Sequence, residues 1–130
     1  MNGERFILDT NTIIFLLKGN LDLLRILESS EWIGISIISK IEFHAFRGLS
    51  DTDVQLFNKF LQRVDVVDLT NKNDNLLEST IKIRKQYNIK LPDAIIISTA
   101  ISNHSTLITA DKQLSLVKEV DILNFESLKK

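Results

Sequence analysis

The sequence predicts a single α/β domain over residues 1–130, with a mainly parallel central sheet of about five strands flanked by helices on both faces. Three observations predict this class. Short apolar runs alternate with longer stretches of helical periodicity, a pattern typical of parallel strands joined by crossover helices. A length of 130 residues suits one domain with one core. No internal repeat, low-complexity tract or linker divides the chain.

The first half of the chain predicts three strands and four helices. Apolar and β-branched runs predict the strands at residues 6–8, 32–36 and 64–69. Apolar residues three or four apart predict helices at residues 12–18, 21–27 and 40–46, and a fourth helix capped by Ser50 and Asp51. The helix at residues 12–18 is apolar almost all round and should be buried.

The second half predicts two long helices and two strands. The first helix covers residues 71–87 and ends before Asn88, a suitable C-terminal stop. The second helix opens at Leu91 and Pro92, since proline is well placed in a first turn, and its apolar residues 94–101 should be buried. Strands are expected at residues 106–109 and 120–123, with a short helical turn over 111–116 between them.

Composition excludes several classes of protein. The net charge of −1 argues against a polycationic nucleic-acid binder, so any nucleic-acid partner would need a local basic patch. The absence of cysteine excludes disulfides, thiolate metal sites and thiol nucleophiles, and fits a cytoplasmic protein. The N-terminus resembles no signal peptide, and the longest apolar run is too short to span a bilayer, so we expect no membrane association.

Four acidic residues lie where a parallel sheet would gather ligands, and each also has a purely structural explanation. Asp9 follows the first strand and could cap the next helix. Glu42 could close a capping box that begins at Ser39. Asp93 lies in a first helical turn, where the helix dipole favours a negative charge. Asp111 follows the fourth strand and could cap the short turn after it. Taken singly, each acid is explained at least as well by structure as by function.

Taken together, the four carboxylates predict a metal site. Ligands of open α/β sheets bind beyond the carboxyl ends of the strands, where these four acids should converge. Converging carboxylates repel one another, and a bound divalent cation relieves that repulsion. Oxygen ligands without histidine or cysteine suit Mg²⁺ or Mn²⁺, and such ions serve phosphoester hydrolysis by activating water. The neutral groups near the same edge that could orient a water or a carboxylate are Asn11 and Thr109.

The acids lie in four short motifs, in this order along the chain. The motifs are Leu8-Asp9-Thr10-Asn11, then Glu42 within Ser39-Lys40-Ile41-Glu42-Phe43, then Leu91-Pro92-Asp93-Ala94 with the following apolar residues, and finally Thr109-Ala110-Asp111-Lys112. They resemble the motifs of PIN-domain ribonucleases, and most closely those of the VapC-like toxins of bacterial type II toxin–antitoxin systems. The resemblance runs from residue 6 to about residue 123, with the motifs in the family's order and near its spacing.

This resemblance implies a Mg²⁺- or Mn²⁺-dependent endoribonuclease. Asp9, Glu42, Asp93 and Asp111 would be its acidic, metal-binding and catalytic set, supported by Asn11 and Thr109. The resemblance further implies a homodimer and a cognate antitoxin that covers the acidic pocket. Many members carry another acid shortly after the position of Asp111, whereas Gln113 and Leu114 follow here. We therefore expect one firmly held ion in the absence of substrate.

Basic and aromatic residues are candidates for binding RNA and a partner. Lys82, Lys85 and Lys90, with Arg84, form the best basic candidate for RNA phosphates, although a solvated helix face explains them as well. Four phenylalanines at helical spacing could form either core or an apolar surface for an antitoxin; they are Phe43, Phe46, Phe57 and Phe60. The two histidines, expected to have no catalytic role, are His44 and His104.

Three alternatives compete with the nuclease. A haloacid-dehalogenase-like phosphatase needs an Asp-x-Asp pair after the first strand, but Asn11 occupies its second position. A receiver-like regulatory domain would use Asp68 as its phosphoryl acceptor, which leaves Glu42 and Asp93 unexplained. A catalytically silent PIN-fold binding module need not keep its acids, yet all four are present here.

Overall fold

The structure, a computed structural model that describes residues 3–128, is organised around a five-stranded parallel sheet. The strands are β1 (Glu4–Leu8), β2 (Ser30–Ser36), β3 (Asp65–Val67), β4 (Thr106–Thr109) and β5 (Ile122–Asn124). Their order across the sheet is β3-β2-β1-β4-β5, and every pairing is parallel. From β1 the chain extends the sheet in one direction through β2 and β3, and then returns to extend it in the other direction through β4 and β5. The switch point between β1 and β4 is where such sheets bind ligands.

Helices cover both faces of the sheet, as predicted. The helices are α1 (Thr10–Leu17), α2 (Leu21–Glu28), α3 (Ile37–His44), α4 (Asp51–Leu61), α5 (Asp74–Gln86) and α6 (Leu91–Ser102), with 3₁₀ turns at Leu114–Leu116 and Phe125–Leu128. Because side chains alternate along a strand, Ile7 of β1 joins a core with α5 and α6, whereas Phe6 and Leu8 join a second core with α1 to α4. None of the helices within residues 3–128 is both long and apolar enough to cross a membrane.

The start of α3 corrects one sequence-based expectation. The helix begins at Ile37, three residues earlier than expected, because β2 ends at Ser36 and the Ser36 hydroxyl accepts a hydrogen bond from the Ile38 N–H at 3.0 Å. Ser39 therefore lies inside the helix, fully buried, and its hydroxyl has no hydrogen-bond partner among the described residues. The predicted capping box from Ser39 to Glu42 is therefore wrong, and Glu42 loses the structural explanation that the sequence offered for it.

Other element boundaries differ by a few residues. β2 begins at Ser30, two residues earlier than expected, whereas β3 is only three residues long. On α5 the buried positions are Leu76, Thr80 and Ile83, while Ile81 is 54% exposed. The turn expected over 111–116 is helical only at Leu114–Leu116. Against the expectation of a buried helix, α1 is buried only at Thr10, Thr12 and Ile13, and its last four residues are half-buried.

Candidate active site

The four predicted acids line one cavity at the switch point of the sheet. Asp9 directly follows β1 and Asp111 lies two residues beyond β4, while Glu42 comes from α3 and Asp93 from the first turn of α6. The cavity has a volume of about 230 Å³. We call it the acidic cavity, and its lining residues are Asp9, Thr10, Asn11, Glu42, Phe46, Asp93, Ile96 and Asp111.

Asp9 serves both as a helix cap and as a wall of the acidic cavity. It is buried, and its Oδ1 accepts a hydrogen bond from the Thr12 backbone N–H at 2.9 Å, which caps α1 as the structural explanation predicted. Its Oδ2 accepts a hydrogen bond from the Thr109 hydroxyl. Each carboxylate oxygen thus has one strong donor that fixes its position, and each retains acceptor capacity toward the cavity.

Thr109 joins the ends of the two central strands. As the last residue of β4 it is fully buried, and besides donating to Asp9 its hydroxyl accepts a hydrogen bond from the Asp111 N–H at 3.0 Å. One side chain therefore holds both Asp9 and the backbone of Asp111. The Asp111 side chain is exposed, and its Oδ1 accepts a hydrogen bond from the Gln113 N–H at 2.9 Å.

Thr10 holds Glu42 in the same manner, a contact that the sequence did not predict. The Thr10 hydroxyl donates to the Glu42 Oε1 at 2.6 Å, across 32 residues of chain. Thr10 is buried and Glu42 is half-buried, so the bond lies where water competes poorly. The only sequence signal was the position of Thr10 beside Asp9, which says nothing about its partner on α3.

The pKa of Asp93 is raised by its surroundings in the acidic cavity. Burial raises the pKa of this carboxyl most, and the negative charges of Asp111, Glu42 and Asp9 raise it further, while the Lys90 ammonium acts in the opposite direction. All three other acids thus act on Asp93. Binding of a cation would relieve this repulsion.

The donor set fits a hard divalent cation. The acidic cavity is lined by four carboxylates and the amide of Asn11, and no histidine contributes to its wall. Within residues 3–128, no three acidic or histidine side chains are grouped as ligands of one ion. Mg²⁺ does not need three grouped side chains, because it is commonly bound through one or two carboxylates and keeps several of its waters.

The predicted basic residues lie in two different places. Arg84 and Lys90 line a second cavity, of about 310 Å³, that shares Asp93 and Asp111 with the acidic cavity. We call it the basic cavity, and its lining residues are Arg84, Asn88, Ile89, Lys90, Asp93, Asp111, Gln113 and Leu114. Lys82 and Lys85 line a separate surface depression instead.

The phenylalanines divide between the core and an open groove. Phe43 and Phe57 are buried with their ring centroids 3.9 Å apart. Phe46 is 42% exposed and borders both the acidic cavity and a mainly apolar groove of about 290 Å³. We call it the apolar groove, and its lining residues are Ile14, Leu17, Lys18, Phe43, Phe46, Arg47, Leu49, Asp53 and Leu56.

Three further residues lie outside the acidic cavity. His44 and His104 are exposed and do not line it. Asp68, the acceptor that a receiver domain would need, follows the edge strand β3 and is separated by β2 from the central strand before Asp9. The geometry therefore offers no support for the receiver alternative.

A parallel α/β sheet with carboxylates gathered at its switch point defines the class of open α/β proteins, in which ligands bind at this edge. Within that class, the sequence model of the PIN domain matches residues 6–120, and the chain belongs to the PIN-domain family. The resemblance noted from the motifs is thereby confirmed. No curated protein sequence matches the chain significantly.

Solved structures share this fold. A toxin-antitoxin complex from Klebsiella pneumoniae is 24% identical with a TM-score of 0.74, covering 92% of this chain and 96% of that one. The DNA-bound VapBC from Salmonella typhimurium is 21% identical with a TM-score of 0.78, covering 94% and 98% of the two chains. VapBC-1 from nontypeable Haemophilus influenzae is 22% identical with a TM-score of 0.74, also covering 94% and 98%. At these identities the likeness is one of fold.

Proposed function

We propose that this protein is a Mg²⁺- or Mn²⁺-dependent endoribonuclease and the toxin of a toxin–antitoxin pair. The observation that carries the proposal is the meeting of Asp9, Glu42, Asp93 and Asp111 in one cavity at the switch point of the sheet. Membership of the PIN-domain family supports a nuclease, and the similar structures described as toxin–antitoxin complexes support the biological setting. An RNA substrate implies that the protein acts in the cytoplasm.

The proposed site uses its carboxylates as cation ligands. Asp9, Glu42, Asp93 and Asp111 would hold the ion, one or two of them directly and the others through its waters. When bound, the ion would supply an activated water and neutralise charge on the scissile phosphate. The chain contributes preorganisation, because Thr109 and the Thr12 N–H fix both oxygens of Asp9, and Thr10 fixes Glu42. Hydrolysis forms a bond from the water oxygen to phosphorus and breaks one ester bond. Asn11, which is exposed and lines the cavity, would orient that water.

The decisive test is metal-dependent cleavage of single-stranded RNA by purified protein. We expect cleavage with Mg²⁺ or Mn²⁺, none in excess chelator, and a loss of at least about a hundredfold in Asp9→Asn and Asp93→Asn. Asp68→Asn is the matched control, because it removes one exposed carboxylate outside the acidic cavity. Full activity in chelator or in Asp9→Asn would contradict the mechanism. Labelling by acetyl phosphate that disappears in Asp68→Asn would instead favour a receiver.

The antitoxin is proposed to lie along the apolar groove. The groove adjoins the acidic cavity at Phe46, which lines both, so a chain seated in the groove would extend toward the acids. Its wall carries the cations Lys18 and Arg47 and the anion Asp53 beside apolar side chains. We therefore expect an amphipathic segment of the antitoxin, with an apolar stripe in the groove and charged residues along its rim.

Substitution of Phe46 tests this placement. Phe46→Glu inserts a charge into the proposed contact and should weaken antitoxin binding at least about tenfold in titration calorimetry. Ile81→Glu is the matched control, since Ile81 is similarly exposed but lies on α5, outside the groove. Equal affinity of the two variants would refute the placement. The neighbouring reading frame is the natural source of the antitoxin to be tested.

The proposed assembly also includes a homodimer and one firmly held ion per chain. The homodimer rests on the family resemblance, and light scattering of the purified protein measures it directly. The single ion also rests on the family resemblance, which implies a further acid shortly after Asp111 in many members, whereas Gln113 and Leu114 follow Asp111 here. Mn²⁺ titration followed by electron paramagnetic resonance should give one tight site per chain, and two tight sites would contradict this count.

A further inference from the structure

The basic cavity lies directly beside the acidic cavity. Asp93 and Asp111 belong to the walls of both, so the two acids form a shared rim between them. On one side of the rim the wall is dominated by carboxylates. On the other side it carries the cations of Arg84 and Lys90, with the neutral polar side chain of Gln113. The charge thus changes sign across the rim.

Arg84 is held in position at this cavity. Its Nη1 donates to the backbone carbonyl of Ile89 at 2.6 Å, and Ile89 is buried in the core packed against the sheet. One guanidinium nitrogen is therefore anchored, while the side chain as a whole remains exposed. A guanidinium has five N–H donors in a planar fork, so anchoring one leaves donors that fit a phosphate.

Lys90, the N-cap residue of α6, lies on the same side of the rim as Arg84. Lys90 lines the basic cavity together with the rim residues Asp93 and Asp111. The side chain is exposed and available to a ligand. Arg84 and Lys90 thus offer two cations beside a carboxylate cavity that would otherwise repel a polyanion.

We propose that the basic cavity is a phosphate subsite for the RNA strand. This proposal rests on the proposed nuclease function. The bound strand would run from the acidic cavity across the rim formed by Asp93 and Asp111 into the basic cavity. A backbone phosphate adjoining the scissile one binds Arg84 and Lys90. Asn88 and Gln113, which are neutral and exposed, contact the sugar or the phosphate oxygens there.

The other two basic residues of the predicted patch have no part in this subsite. Lys82 and Lys85 lie on α5, as Arg84 does, but they line a different depression with Glu78, Ile81 and Gln86. Lys82 also acts on Glu119, whose pKa is lowered first by a hydrogen bond from Tyr87 and further by the Lys82 charge. Lys82 and Lys85 are therefore the matched control.

The experiment measures RNA binding without cleavage. Fluorescence anisotropy of a labelled single-stranded RNA, with the full chain in excess chelator, gives Kd over a range of salt concentrations. Arg84→Gln with Lys90→Gln should raise Kd about tenfold and reduce the slope of log Kd against log salt by about 0.7 for each phosphate that the protein no longer neutralises. Lys82→Gln with Lys85→Gln removes the same charge and should change Kd less than about twofold.

Two further variants protect this comparison against folding defects. Lys90→Gln alone leaves the anchor between Arg84 and Ile89 intact and should raise Kd about threefold. Arg84→Lys keeps the charge but not the planar fork, and its Kd should lie between the Kd of wild type and that of the double variant Arg84→Gln with Lys90→Gln. Equal effects of the two double substitutions, or unchanged binding in Lys90→Gln, would overturn the subsite. Failure of the nuclease proposal is separately visible as absence of cleavage with Mg²⁺, because binding in chelator requires no cleavage.

Discussion

Thr109→Val tests how much the Thr109 hydroxyl, which is bonded to both Asp9 and Asp111, contributes to the stability of the fold. Valine has nearly the shape of threonine, so the fully buried position stays filled while two hydrogen bonds are removed. The first is donated to the carboxylate of Asp9, and the second is accepted from the Asp111 N–H at 3.0 Å. A hydrogen bond to a charged group contributes about 1.5–3 kcal/mol, and a neutral one about 0.5–1.5 kcal/mol.

The expected loss in the free energy of unfolding is therefore about 2–4 kcal/mol at neutral pH. Urea denaturation monitored by circular dichroism measures it. The control is Thr12→Val, because Thr12 is equally buried and its hydroxyl donates one hydrogen bond, to the neutral Ile108 carbonyl at 2.9 Å. That control should lose only about 1 kcal/mol. A loss in Thr109→Val no larger than in Thr12→Val would refute the assignment of the Asp9 hydrogen bond as a charge-assisted one.

Two further predictions concern the other acids. Thr10→Val should lower Mn²⁺ affinity and cleavage about 10- to 100-fold by releasing Glu42, while Thr10→Ser keeps the hydroxyl and should restore both; equal defects in the two variants would contradict this role. Asp93→Asn should raise the Tm in chelator at neutral pH. Because the folded-state pKa of Asp93 is raised above the ordinary 3.8, its contribution to stability is present at low pH and lost as pH rises through that raised value. The Tm difference from wild type should therefore grow with pH, and thermal melts in which it shrinks would contradict the sign.

The local features of the site could be predicted from the sequence. Asp9 and Asp111 each follow a short apolar run, and a parallel sheet brings the carboxyl ends of its strands to one edge. Pro92 marked the start of α6 and so placed Asp93 in its first turn. These predictions hold because each depends on a few neighbouring residues and on the regular geometry of strands and helices.

Contacts between distant segments could not be predicted in the same way. Ser36 and Ser39 are three residues apart and both are suitable helix caps, so only the end of β2, which is set by pairing with neighbouring strands, selects Ser36. The bond between Thr10 and Glu42 depends on how α1 packs against α3, which no local pattern encodes. The sequence does predict that Arg84 and Lys82 are separated, because a rotation of about 100° per residue places them on opposite sides of a helix.

For Asp9 and Asp93 the structural explanation and the proposed function are compatible, because the N-terminus of a helix serves both. Asp9 caps α1, and Asp93 lies in the first turn of α6, so each carboxylate stands at the positive end of a helix dipole. Helix N-termini thereby offset part of the repulsion that gathering four carboxylates creates. The role of Asp9 as a helix cap is therefore compatible with a role in the proposed metal site.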